Sequence, residues 1–71
     1  MNYIIKTEGL HCGHCEATVE TELMKVAGVT DADADHETNT VAVECADDVA
    51  PEALEAAVVA AGFKAVSIAA A

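Results

Sequence analysis

The chain contains no tryptophan and no arginine, a single proline, and only one tyrosine and one phenylalanine, Tyr3 and Phe63. With so few rings, a core must be built from Val, Ile, Leu and Ala, and 71 residues suit one small domain rather than two. Long apolar runs are missing as well. No stretch approaches the roughly 20 residues of a membrane span. The opening "MNYIIKTEG" lacks a basic-then-apolar export pattern. These absences predict a single domain over residues 1–71 with no membrane role and a cytoplasmic location. Positive charge is also scarce: Lys6, Lys25 and Lys64 face thirteen Asp and Glu, for a formal net charge of −10. A surface of this kind repels phosphate backbones and anionic lipid, so no nucleic-acid partner is expected. The acids are scattered along the whole chain, which reads as a solubility feature rather than as one docking face. Three cysteines, an odd number, do not form a disulfide framework.

What is present is periodicity that switches several times. "NYIIKTE" (2–8) is rich in Tyr, Ile and Thr and puts Tyr3, Ile5 and Thr7 on one face of a strand. From Cys15 the period becomes helical, with Val19, Leu23 and Val26 in one stripe and Gly28 as a stop. "VTDADAD" (29–35) alternates, Ala32 and Ala34 against Asp31, Asp33 and Asp35, with Val29 out of step. After a turn at "HETN", "TVAVEC" (40–45) alternates again, placing Val41, Val43 and Cys45 together and completing a hairpin. Pro51 suits a first helical turn. Leu54, Ala57, Val58 and Ala61 form that helix's buried stripe, Gly62 stops it, and "FKAVSIA" (63–69) is a last strand before a frayed "AAA" terminus. The order β-α-β-β-α-β predicts an α+β, ferredoxin-like fold: a four-stranded antiparallel sheet with two helices on one face.

The chemistry gathers in "GLHCGHC", residues 9–15. Cys12 falls in the loop after the first strand and Cys15 opens the helix, where unpaired backbone N–H groups and the positive end of the helix dipole favour thiolate. That activation serves a redox dithiol and a two-thiolate metal clamp alike. Cys12-Gly13-His14-Cys15 is also the four-residue motif of protein disulfide isomerases, which makes a CxxC thiol-redox protein the alternative of a different class. The fold of those enzymes needs roughly 100 residues, carries an aromatic residue where this chain has His11, and uses a proline beside its dithiol. The metal clamp is therefore preferred.

"GLHCGHC", "VETELMKVAGV" and "AAVVAAGF" together resemble the heavy-metal-associated domain, the βαββαβ module of soluble copper chaperones and of the N-terminal domains of heavy-metal P-type ATPases. The resemblance covers essentially the whole chain. Gly9, Cys12 and Cys15 match the motif Gly-Met-x-Cys-x-x-Cys, with Leu10 at the usual Met position, a swap that conserves volume. Gly28-Val29 and Gly62-Phe63 match two further family positions. The resemblance implies a metallochaperone-like binding protein, not an enzyme, with Cys12 and Cys15 as metal ligands. Two soft thiolates select Cu(I) over hard cations, and a two-ligand site is open to a third thiolate from a partner. The implied partner is a metal-transporting P-type ATPase or another domain of the same family. The chain is expected to be a monomer, or a dimer bridged by metal. Zinc- or mercury-handling is the alternative within the class, with Zn(II) or Hg(II) as cargo.

Each remaining candidate has a plainer reading beside it. His14 is an auxiliary ligand or a solvated loop residue. His11, just before Cys12, could complete a Zn²⁺ site, which accepts S and N donors; the plainer reading is an exposed residue. Cys45 reads as a small core residue, Met24 as edge packing far from the cysteines, and His36 as a solvated turn residue. Phe63 is either core or a ring that shields the metal loop.

Overall fold

The computed structural model describes every residue from 1 to 71 except Cys12. The elements are β1 (Asn2–Glu8), α1 (Gly13–Met24), β2 (Val29–Asp35), β3 (Thr40–Cys45), α2 (Pro51–Ala60) and β4 (Lys64–Ala70). All neighbouring strands pair antiparallel in the order β2-β3-β1-β4. Among the described residues no helix is long and apolar enough to cross a membrane.

Alternation along the strands decides which face is covered. Tyr3, Ile5 and Thr7 of β1, Val41, Val43 and Cys45 of β3 and Ala34 of β2 are all buried. Except for Thr7, they share one core cluster with Val19 and Leu23 of α1 and Leu54, Ala57 and Val58 of α2. Both helices therefore lie on the same side of the sheet. Ile5, Val19, Leu23, Val41, Leu54 and Val58 are completely excluded from solvent. Thr7, the one buried polar residue among the described residues, donates its hydroxyl to the Asn39 carbonyl at 3.0 Å. The opposite face carries exposed Asp31, Asp33 and Asp35 with Glu44, alongside Ile4 and Lys6.

The structure revises several expected details. Helix α1 opens at Gly13 rather than Cys15 and closes at Met24, so Val26 packs against the core from the following turn. Gly28 has φ +94°, and a Cβ there would come within 2.5 Å of the Val49 side chain. Its lack of a side chain is thus required by the approach of the segment before α2 as well as by the backbone. Val29 is out of step because Thr30 is an extra residue: Val29 pairs with Cys45 while Asp31 pairs with Glu44. This bulge returns Val29 to the core side. Met24 is not packed at an edge but is half exposed. Strand β4 is shifted to Lys64–Ala70, and the alanine terminus is not frayed. Ala69 and Ala70 pair with Ile4 and Tyr3, and Ala71 donates its amide to the Asn2 carbonyl at 2.8 Å.

Candidate metal centre

Three anchors set the loop between β1 and α1. Gly9 has φ +102°, and a Cβ added to it would meet the Phe63 ring at 3.1 Å, so the ring lies against the loop's backbone. Leu10, at 2% exposure, is held by its own side chain in the core. Its amide donates to Oδ1 of Asn39 at 3.1 Å. Beyond the loop, Cys15 sits in the first turn of α1, half-buried and packed against the core. The first turn of a helix offers unpaired amides and a partial positive charge, which suit a negatively charged metal–thiolate complex. Cys12, the other expected ligand, lies outside the described residues.

The remaining sequence candidates separate clearly. His11 directly precedes the CxxC motif and His14 lies within it; both are exposed. Cys45 is buried at 4% exposure and faces the core. It also lies at the far end of the sheet. Its amide bonds to the Met1 carbonyl at 2.9 Å, and its own carbonyl accepts from the terminal amine at 2.8 Å. Thr40, at the other end of β3, follows directly on Asn39, which accepts the Leu10 amide in the loop between β1 and α1. A strand rise of about 3.3 Å per residue places Cys45 on the order of 15 Å from that end.

His36 corrects its expected role as a solvated turn residue. Its Nδ1 lies 2.7 Å from Oε2 of Glu16, which also accepts the His36 backbone amide at 2.7 Å. The hydrogen bond to Glu16 raises the His36 pKa above 6.5, with the Glu16, Glu37 and Asp35 charges adding to it. In return the His36 amide, and then its ring, hold the Glu16 carboxyl below 4.5. One helical turn on, Glu20 accepts the Ala34 amide at 2.9 Å. Helix α1 thus satisfies one amide of β2, at Ala34, and one just past its end, at His36, with its own carboxylates. Glu16, Asp35 and His36 bring their ligand atoms within 4.8 Å of one another. The Glu16 and His36 atoms are bonded to each other, so the group is an ion pair with a neighbouring acid rather than an open coordination site.

Reading the sequence missed Glu16, Glu20, His36 and Asn39. The signal for the glutamates was present as an i, i+4 pair on the helix that follows the motif. That for Asn39 was an asparagine in a tight turn, where its tolerance of positive φ is useful. Their partners were not legible, since 20 residues separate Glu16 from His36 and 29 separate Leu10 from Asn39.

The family model of the heavy-metal-associated domain matches residues 4–64. The copper chaperone CopZ of Staphylococcus aureus (strain JH9) is 44% identical over 41 residues, which span 58% of this chain and 60% of that relative. The match therefore leaves more than a third of the curated relative's length uncovered. Among solved structures, a CopZ metallochaperone superposes with a TM-score of 0.89 at 36% identity, covering 93% of this chain and 100% of the other. A copper binding domain from HMA7, a P-type ATPase, also gives a TM-score of 0.89, at 30% identity over 99% and 96% of the two chains. A loop of the family's kind, ending in a cysteine at a helix start, thus stands on a fold shared with these proteins, and the chain belongs to the heavy-metal-associated domain family.

Proposed function

We propose that this protein binds one Cu(I) per chain through the thiolates of Cys12 and Cys15 and passes it to a partner thiol pair. It acts as a metallochaperone-like binding protein rather than an enzyme. The observation that carries the reading is the placement of Cys15 in the first turn of α1, directly after a loop anchored by Leu10. Two thiolates are soft donors and satisfy Cu(I), whereas Zn²⁺ would still need further ligands. A site with two protein ligands stays open, so an incoming thiolate can bind before an outgoing one leaves. Copper then moves by ligand exchange without release. The similar proteins named as a copper chaperone and as a copper binding domain of a P-type ATPase support both the cargo and the partner class. The recipient we propose is a metal-transporting P-type ATPase or another domain of this family, met by a cytoplasmic monomer.

The test is anaerobic Cu(I) titration of the protein and its cysteine variants. Cys12→Ser and Cys15→Ser should each lose stoichiometric binding, and Cys45→Ser should keep one Cu(I) per chain. Loss of copper in Cys45→Ser with the fold intact would overturn the ligand assignment. For His11, competition titrations of His11→Ala with Zn²⁺ and with Cu(I) separate a ligand from a bystander: a ligand role weakens Zn²⁺ far more than Cu(I). Transfer to an acceptor domain should slow as salt is added, because a chain of net charge −10 meets a basic partner through a field screened beyond about 8 Å. A salt-independent transfer rate would remove the steering.

A further inference from the structure

We propose that the turn between β2 and β3 is a clamp that positions the metal loop, with Asn39 as its principal residue; the proposal rests on the copper reading above. Asn39 is the one non-glycine residue with positive φ among the described residues, at +52°. Most side chains resist this left-handed conformation, and asparagine is among the few that adopt it readily. In it, one residue serves three neighbours. Its carbonyl accepts the Thr7 amide at 2.8 Å and the Thr7 hydroxyl at 3.0 Å, next to the last residue of β1. Its side-chain oxygen accepts the Leu10 amide at 3.1 Å, two residues before Cys12. Its side-chain nitrogen donates to the His36 carbonyl at 3.4 Å, which closes the turn on itself.

The other arm of the clamp reaches past the motif. Glu16, the residue after Cys15, accepts the His36 backbone amide and meets its ring, each at 2.7 Å. The turn therefore holds the loop on both sides, at Leu10 before the first cysteine and at Glu16 after the second. Nothing in the motif's own spacing supplies this. A loop ordered before the metal arrives does not have to be ordered by it, so the clamp raises affinity by pre-organisation. Asn39 is a positioning residue: among the described residues, its contact with the loop is to the Leu10 backbone amide.

The test compares the wild-type protein with Asn39→Gly and Asn39→Asp. Glycine keeps the positive φ and removes the acceptor; aspartate keeps an acceptor oxygen and also tolerates the conformation. Cu(I) competition titration, well below the melting temperature of each variant, should show Asn39→Gly weaker by about fivefold, the worth of one hydrogen bond, with Asn39→Asp close to wild type. In the copper-free proteins, hydrogen exchange of the Leu10 amide should be slow in the wild type and fast in Asn39→Gly, while that of Ile5 is unchanged. Equal copper affinity in the wild type and Asn39→Gly would overturn the proposal. So would equal Leu10 exchange in the two proteins. Should Asn39→Gly fail to fold, exchange in the wild type alone decides, and a Leu10 amide exchanging at the free-chain rate overturns the clamp. If the wild type takes up no Cu(I) while Asn39→Gly still deprotects Leu10, the copper reading fails and the clamp stands as the device that orders this loop.

Discussion

Helix α1 reaches the sheet partly through carboxylates, helix α2 almost wholly through hydrocarbon. Glu16 and Glu20 of α1 each take a backbone amide in β2 or just past its end, and its two fully buried residues are Val19 and Leu23. Helix α2 buries Leu54, Ala57 and Val58, and its N-cap, Ala50, has no side-chain hydrogen bond. The first half also holds the cysteine motif. The second contributes Phe63, whose ring lies against Gly9, and the apolar mass that both halves share. Two βαβ units of the same pattern thus differ in what fastens them. The half that carries the cysteine motif is tied down by directional polar contacts as well as by packing, and the half that only supports is tied down by packing. Hydrogen bonds fix where a loop sits, and apolar burial supplies most of the free energy that keeps it there.

The sharpest way to break this comparison is to remove packing from α2. Leu54→Ala should destabilise the protein by about 2–5 kcal/mol, as for other fully buried leucines. Because one core joins both helices, the loss should appear as a single unfolding transition in denaturant. Separate melting of α2 with α1 still folded would show that the halves are not one unit. Cys45→Ser is next. It places a hydroxyl among apolar neighbours at a site 4% exposed, and should cost about 1–3 kcal/mol in thermal or chemical denaturation without changing copper stoichiometry. A gain runs the other way at α2. Ala50 has the extended backbone of an N-cap, φ −76° and ψ 140°, so Ala50→Ser should stabilise by about 1 kcal/mol in the same assay.

The smallest effect sharpens the polar side of the comparison. Below 6.5 His36 contributes fully through its bond to Glu16, and that contribution is lost as pH rises through its raised folded pKa. Glu16 contributes above 4.5, and loses its share as pH falls through its lowered folded pKa. The pair therefore stabilises most between 4.5 and 6.5. The melting-temperature gap between wild type and His36→Ala should be wider near about pH 5.5 than near about pH 9. A gap that does not change with pH would leave only the Glu16 bond to the His36 backbone amide, which needs no charge on the imidazole.

The strands, both helices, the buried Val19, Leu23, Leu54, Ala57 and Val58 and the inward face of Cys45 were determined by the sequence itself, whereas Val26 and Ala61, expected in the same stripes, lie just past the helix ends and are only partly buried. Each depends on a repeat of two or 3.6 residues that local geometry imposes on any chain of this pattern. The candidate site was proposed for the same kind of reason: Gly9, Cys12 and Cys15 fall within seven residues, where a strand pattern gives way to a helical one in the sequence. Only the tertiary structure decided what holds that stretch in place. The bulge at Thr30 that turns Val29 inward, the pairing of the alanine terminus with β1, and the bonds from Asn39 to Leu10 and from Glu16 to His36 all join segments that are distant in sequence. No periodicity encodes such contacts. They exist because antiparallel pairing of β2 with β3 returns the chain beside the loop it left, at the distance where a side-chain oxygen meets an amide.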